Sequence, residues 1–472
     1  MAAMTLAEEK KTTQPELTRV LGPKLLLLFI VGDILGTGIY ALTGQVAAEV
    51  GGAAWVPFLT AFVVAALTAA SYLELVTKYP QAAGAALYVH KAFGIHFVTF
   101  MVCFTVMSSG ITSASAASSA FASNLAVGFG LDAGPAALLF IAIAFMLLIM
   151  TVNFRGVAEG VGLNVVLTLI ELSGLLMVIF ISLFAIFGGQ ADWSRVVAFD
   201  TPDGKNVFLA ISTATSLAFF AMVGFEDSVN MAEETKEPSK IFPKTLFTGL
   251  GITAVVYVLI SICAVALVPV GELAGNATPL VTVVQTAAPD FPINVVLPFI
   301  SMFAVANSAL INMMMASRLL YGMSRQGVLP SFLAKVHSTR KTPFAAILFT
   351  TAIALGLISY VSLDPESPIV ALLGGTTSLL LLAVFAVVNV TVLVLRKDRV
   401  EHDHFRTPTA LPILGAVFCA YLVLPVSGRA VEQYQIAGVL LGIGILLWLV
   451  TYLTGGKRRQ ELVAIEEPEK LH

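Results

Sequence analysis

Gly32-Asp33-Ile34-Leu35-Gly36-Thr37-Gly38-Ile39-Tyr40 interrupts a long apolar run near the start of the chain. A second interruption lies far downstream, at Phe219-Phe220-Ala221-Met222-Val223-Gly224-Phe225-Glu226. Clustered glycines lower helix stability by roughly 1 kcal/mol each, and a bilayer offers no water to the backbone groups they release. Irregular backbone at that depth persists only where it is buried in protein or lines a cavity. For either cluster alone, close helix packing through small residues is the other reading.

Working outward, the whole chain reads as membrane. It has 472 residues, 58% hydrophobic and 12% charged, with a mean hydropathy of +0.92. Soluble proteins carry about twice that charged fraction, so a polytopic membrane protein is expected. Cys103, Cys263 and Cys419 fall in apolar stretches at no metal-like spacing, so neither a disulfide framework nor a zinc site is read. The first apolar run is too long, and lacks a cleavage site, for a removable signal peptide.

Runs of about 20 apolar residues give twelve spans. They lie near 22–47, 54–77, 95–124, 135–153, 160–188, 207–231, 245–270, 291–320, 343–362, 367–395, 409–426 and 433–454. With both termini cytoplasmic, the 26 basic residues divide 23 inside to 3 outside, the three being Arg195, Lys205 and Arg429. The broken segments are then helices one and six, where two five-helix repeats place them. Because five is odd, the second repeat is inverted, and paired interruptions in such halves point to a transporter's binding site. The predicted organisation is a cytoplasmic segment 1–21, a first repeat 22–188, a second repeat 207–396, peripheral helices 409–454 and a cytoplasmic tail 455–472.

The Gly32–Tyr40 stretch resembles the first-helix signature of the amino acid–polyamine–organocation superfamily. Tyr72-Leu73-Glu74-Leu75 with Tyr79-Pro80 and Gly84, Phe219 to Glu226, and Ala232-Glu233-Glu234 with Glu237-Pro238 fit as well. The last has Glu where the superfamily usually has Asn. The match runs through helices one to ten. It implies an all-α membrane fold of the leucine-transporter type, a 5+5 inverted repeat, alternating access and a central site for an amino acid or amine.

The broken helices carry the expected chemistry. Helix ends leave backbone groups without partners, and the helix dipole draws anions to N-terminal ends and cations to C-terminal ends. Carbonyls around Ile34 and Leu35, and N–H groups near Gly36, Thr37, Gly38 and Ile39, suit the ammonium and carboxylate of an amino acid. Phe219, Phe220 and Ala221 supply a second set from helix six, whose second half is expected to start after Gly224, with Phe220 and Phe225 as pocket walls, gates or plain core aromatics.

Acids inside a membrane are functional candidates. Asp33 lies about 17 Å along helix one at 1.5 Å per residue, and Glu171 reaches similar depth in helix five. Many proton-coupled members of the superfamily have a Lys at the Glu171 position, thought to stand in for sodium. A glutamate cannot imitate a cation, so that mechanism does not carry over. Asp33 and Glu171 are read as substrate-amine contacts or as a titrating proton or cation site, with Glu171 alternatively a neutral hydrogen-bonded acid. Glu226 joins them, or simply anchors the helix-six break. Ser301, Ser308 and Asn312 share one face of helix eight, with Ser308 a coupling-site candidate. The Ser108, Thr112, Ser115 and Ser119 stripe is read chiefly as helix packing. With no Lys or Arg seen inside the membrane to oppose these acids, cationic or amine-bearing ligands are favoured.

Gly36-Thr37-Gly38-Ile39-Tyr40-Ala41 mimics a dinucleotide fingerprint, but no strand precedes it, and no Walker-type Gly-Lys-Ser/Thr exists. The function expected is therefore secondary active transport of an amino acid or organic amine, coupled to protons or sodium across the cell membrane. No cofactor, enzymatic activity or nucleic-acid partner is expected. An exchanger and a non-transporting amino acid sensor are the rival readings.

Overall fold

Apolar side chains all round a helix leave it nowhere to go but lipid or the protein core, and this chain is built from little else. The structure, a computed structural model, describes residues 21–454 apart from 81–83, 156–159, 203, 233–234, 291–292, 326, 339, 341 and 364–367. The expected tails, and Glu233 and Glu234 of the motif after helix six, lie outside the described residues.

In chain order the helices are α1 (Pro23–Ile34), α2 (Thr37–Val50), α3 (Trp55–Lys78), α4 (Gly84–Phe93), α5 (His96–Gly128) and α6 (Pro135–Arg155). There follow α7 (Gly160–Ala185), α8 (Trp193–Val196), α9 (Val207–Ala218), α10 (Pro238–Leu267), α11 (Val270–Ala274) and α12 (Pro279–Ala287). The last five are α13 (Ile293–Arg325), α14 (Phe344–Val361), α15 (Ile369–Leu395), α16 (Ala410–Val423) and α17 (Val431–Thr454). Among the described residues, ten helices are long and apolar enough to cross a membrane. The pair α1 and α2, bent by 41°, makes an eleventh, and α16 is a shorter apolar helix.

Both interruptions appear as breaks. Leu35 and Gly36 adopt extended backbone between α1 and α2. After α9 the chain tightens into a 3₁₀ turn at Phe219–Met222, leaves helical geometry, and resumes as a second 3₁₀ turn at Asp227–Met231. The resumption differs from the regular half-helix expected after Gly224. The Leu21–Thr235 bridge and the bond from Lys236 N–H to the Leu21 carbonyl (3.0 Å) tie the start of α1 to the segment after this second break.

Polar bonds join α3 to α15 and to the segment that follows α15. Asn389 bonds Ser71 (2.6 Å) and Thr68 (3.0 Å). One turn further along, Arg396 grips Glu74 with two bonds of 2.9 and 2.8 Å, while Thr407 N–H donates to the same carboxylate. Lys78 donates to the Leu395 and Asp398 carbonyls, and Tyr79 to the Asp398 carboxylate. Beside the seam, Tyr72 packs edge-on against Phe225 and Phe385, which makes Phe225 a core aromatic.

Glu74 is 3% exposed at the side chain and Arg396 13%, so removing one partner leaves a charge buried alone. Arg396→Met is expected to destabilise the protein by about 3–5 kcal/mol, read as a lower unfolding temperature in detergent. A Glu74→Leu/Arg396→Met double variant should recover much of that loss; an unchanged melt in Arg396→Met would show the pair to be solvated.

Candidate functional site

Four short side chains or bare glycines let α1 and α2 approach their neighbours at the break. Thr168 of α7 occupies the space a side chain at Gly32 would need, and Ser308 Oγ of α13 would lie 2.5 Å from a Cβ at Gly36. At Gly38 a Cβ would lie 2.5 Å from the Ala221 backbone. Gly224, at φ +120°, would place a Cβ 2.6 Å from the Asp33 carbonyl oxygen. That φ favours glycine, and the spacing admits nothing larger. The two breaks therefore touch, and Asp33, Gly36, Thr37, Gly38, Ala221, Gly224 and Ser308 fall in one region.

The backbone groups freed there are partly claimed by the protein. Tyr257 of α10 donates its hydroxyl to the Ile34 carbonyl (2.8 Å), so this carbonyl is not the unpaired acceptor expected from sequence. Gly224 N–H donates to Glu226 Oε2 (2.9 Å); Glu226 thus anchors the break in helix six. Tyr40 reaches across to the Glu171 backbone carbonyl (3.2 Å).

Other polar atoms are left over. Glu171 is 0% exposed, and both its carboxyl oxygens are buried without a hydrogen-bond partner, as are Asp33 Oδ2, Thr37 Oγ1 and Thr168 Oγ1. A neutral acid hydrogen-bonded within the bundle, one reading of Glu171, is therefore not what its side chain presents. Buried polar groups almost always find partners, so each exception asks for an explanation. A buried carboxylate is costly unless it carries a proton or meets a cation. Asp33 has Asp227, Glu226 and Glu171 as carboxyl neighbours within electrostatic reach.

Beside the second break is a cavity of about 20 Å³, lined by Ser109, Gly110, Glu226, Asp227, Asn312 and Thr377 among others, with room for about one water. Of the residues singled out from sequence for binding or coupling, only Glu226 borders it. Asp227 and Tyr257 were missed by sequence reasoning. Asp227 stands beside Glu226 and could have been flagged as a second acid; Tyr257 carried no signal, its partner being 223 residues away. Phe220 is buried and packs at Gly374, where a Cβ would lie 2.9 Å from its ring. The α5 stripe behaves as packing, with Ser115 bonding the Ile111 carbonyl, though Thr112 also meets Thr377 (2.7 Å). Arg429, read from sequence as an external residue, is instead buried (6% exposed) and bonded to α15, with none of these acids among its partners.

Comparison with known proteins extends along the chain. The amino acid permease family matches residues 21–449. A branched-chain amino acid permease of Bacillus subtilis (strain 168) is 27% identical over 471 residues, covering 95% of each chain. A methylthioribose transporter of the same organism is 29% identical, covering 90% of this chain and 91% of its own. The chloroplastic cationic amino acid transporter 9 of Arabidopsis thaliana is 29% identical over 70% of this chain and 59% of its own.

Two substitutions separate strain at the breaks from loss of one bond. Gly224→Ala forces a side chain onto positive φ and against the Asp33 carbonyl, and is expected to cost about 1–3 kcal/mol from backbone strain alone. Tyr257→Phe removes one hydrogen bond, worth about 1 kcal/mol. Thermal unfolding in detergent should therefore rank Gly224→Ala as the more damaging.

Proposed function

This chain belongs to the amino acid permease family, and from that premise we propose that it is a secondary active transporter of an amino acid or organic amine, driven by protons. It crosses the cell membrane twelve times, α16 included, with both termini cytoplasmic, and is organised as two inverted five-helix repeats plus two further helices. The placement of 23 of its 26 basic residues supports that orientation. The observation that carries the reading is the meeting of the two breaks at Gly224 and Asp33, with unpartnered carboxyl oxygens on Asp33 and Glu171 beside it.

Each residue has a role in this reading. The first N–H groups of α2, at Thr37, Gly38 and Ile39, face a substrate carboxylate, as free donors at a helix N-terminus do. Asp33 takes the ammonium together with the second lone pair of the Ile34 carbonyl. Phe220 and Ala221 wall the substrate side chain. Glu171 carries the coupling proton, with Ser308 beside Gly36 at the first break assisting, and Glu226 keeps the second break open by capping Gly224. Asp227 and Glu226 border the water-sized cavity, which Thr377 also lines. Alternating access would open the site at the breaks to one side of the membrane at a time. Relatives named for branched-chain and for cationic amino acids leave the side chain of the substrate to experiment.

Thermal shift against amino acids, amines and methylthioribose identifies the ligand, since a ligand held only by the folded site stabilises by about 2.7 kcal/mol at a hundredfold excess over Kd. Proteoliposomes then test coupling. An acid-outside gradient should drive accumulation of the ligand, a protonophore should abolish it, and Glu171→Gln should lose the response while retaining counterflow. Uptake that requires internal amino acid and ignores the gradient would instead make the protein an exchanger. Gradient-driven accumulation undiminished in Glu171→Gln would remove Glu171 from the coupling role.

A further inference from the structure

We infer that the turn between α16 and α17 is a clamp that holds the Gly374–Gly375 segment of α15 against Phe220, with Arg429 as its positioning residue. The inference rests on Phe220 being a wall of the site proposed above.

The argument starts from a buried charge. Arg429 donates Nε to the Leu422 carbonyl (2.6 Å), Nη1 to the Gly375 carbonyl (2.9 Å) and to Gln433 Oε1 (3.0 Å), and Nη2 to Ser378 Oγ (3.0 Å). Every one of these acceptors is neutral. A guanidinium is tolerated in such a place only while its planar fork is satisfied, so the four bonds hold their acceptors in fixed relative positions. Leu422 lies in the last turn of α16, where carbonyls lack helical partners and the dipole favours a cation. Gly375 and Ser378 lie near the start of α15. One side chain therefore ties the end of α16 to the beginning of α15.

The same turn reaches the first half of helix six. Thr213 donates to the Ser427 carbonyl (3.2 Å), and Ser212 meets the Tyr421 hydroxyl (2.9 Å). Ser378, already bonded to Arg429, donates to the Ser216 carbonyl of α9 (2.7 Å). Two residues beyond α9, Phe220 lays its ring on Gly374. At Gly375 the space a side chain would need is filled by Gln433. Helices six and ten are thus stapled to each other at one level, and Arg429 and Gln433 hold that staple from outside the two repeats. Moving the guanidinium shifts the Gly374 backbone, and the ring of Phe220 has to follow.

The test uses the full-length protein with Arg429→Lys, Arg429→Met, Gln433→Leu, Phe220→Ala and the Arg429→Met/Phe220→Ala double variant. Hydrogen–deuterium exchange needs no ligand. Exchange in peptides covering 369–380 and 212–222 should rise in Arg429→Met and Gln433→Leu, less in Arg429→Lys, with α5 and α13 unaffected. No rise, or a uniform rise over the whole molecule, overturns the clamp. Should Arg429→Met fail to fold, Arg429→Lys and Gln433→Leu carry this arm. In uptake of leucine and of lysine, Arg429→Met should raise KM about tenfold, within the range of coupling inside one hydrogen-bonded network, while changing kcat far less. That KM effect should vanish in the Phe220→Ala background; additive effects overturn action through Phe220. Localised exchange with an unaltered KM in Phe220→Ala alone would keep the clamp and reject Phe220 as a wall of the site.

Discussion

A backbone that leaves its helix inside a bilayer must find partners within the protein, and most of this structure follows from how two breaks do so. At the first, Tyr257 takes the Ile34 carbonyl. At the second, Glu226 takes the Gly224 N–H. Between them the chain comes so close that Gly224 has no room for a side chain against Asp33. Unsatisfied backbone groups cost several kcal/mol each in lipid. The residues that relieve them are therefore as necessary as the glycines that cause the breaks. Glu226 serves this backbone and also borders the cavity, so one carboxylate links the shape of the break to the water-sized space beside it.

What the sequence made legible is what depends on local composition. The membrane class, the two breaks and the acidic residues near them are all readable from glycine clusters, apolar run lengths and isolated charges. Gly32, Gly36 and Gly38 do meet α7, α13 and the helix-six break. What was not legible depends on partners distant in the chain. Tyr257 looks like any tyrosine in an apolar segment until Ile34 is placed beside it. Arg429 looks like an external loop residue until the turn that carries it folds inward onto α15. Asp227 was overlooked because Glu226 already accounted for an acid at that point, although both line the same cavity.

Charged residues in this protein divide by how completely they are matched. Glu74 and Arg396 satisfy each other and add Thr407 and Thr409. Arg429 is satisfied by carbonyls, an amide and a hydroxyl. Glu171 and one oxygen of Asp33 are not matched at all. The Glu74–Arg396 pair and Arg429 fix helices against one another, whereas Asp33 lies at the first break and Glu171 on the helix packed beside it. That contrast is what the proposed placement of substrate and proton rests on.

The hydroxyl-rich face of α5 has a mechanical consequence. Thr105, Ser115, Ser119 and Ser123 each donate to the carbonyl one turn earlier in their own helix. Small residues whose hydrogens are already committed in this way leave little to unlatch, the Thr112–Thr377 contact with α15 apart. α3, by contrast, is riveted to α15 by Asn389 and to the end of α15 by Arg396. A rocking motion along α5 would therefore have one hydroxyl contact to α15 to break, while α3 and α15 would travel as one rigid lever.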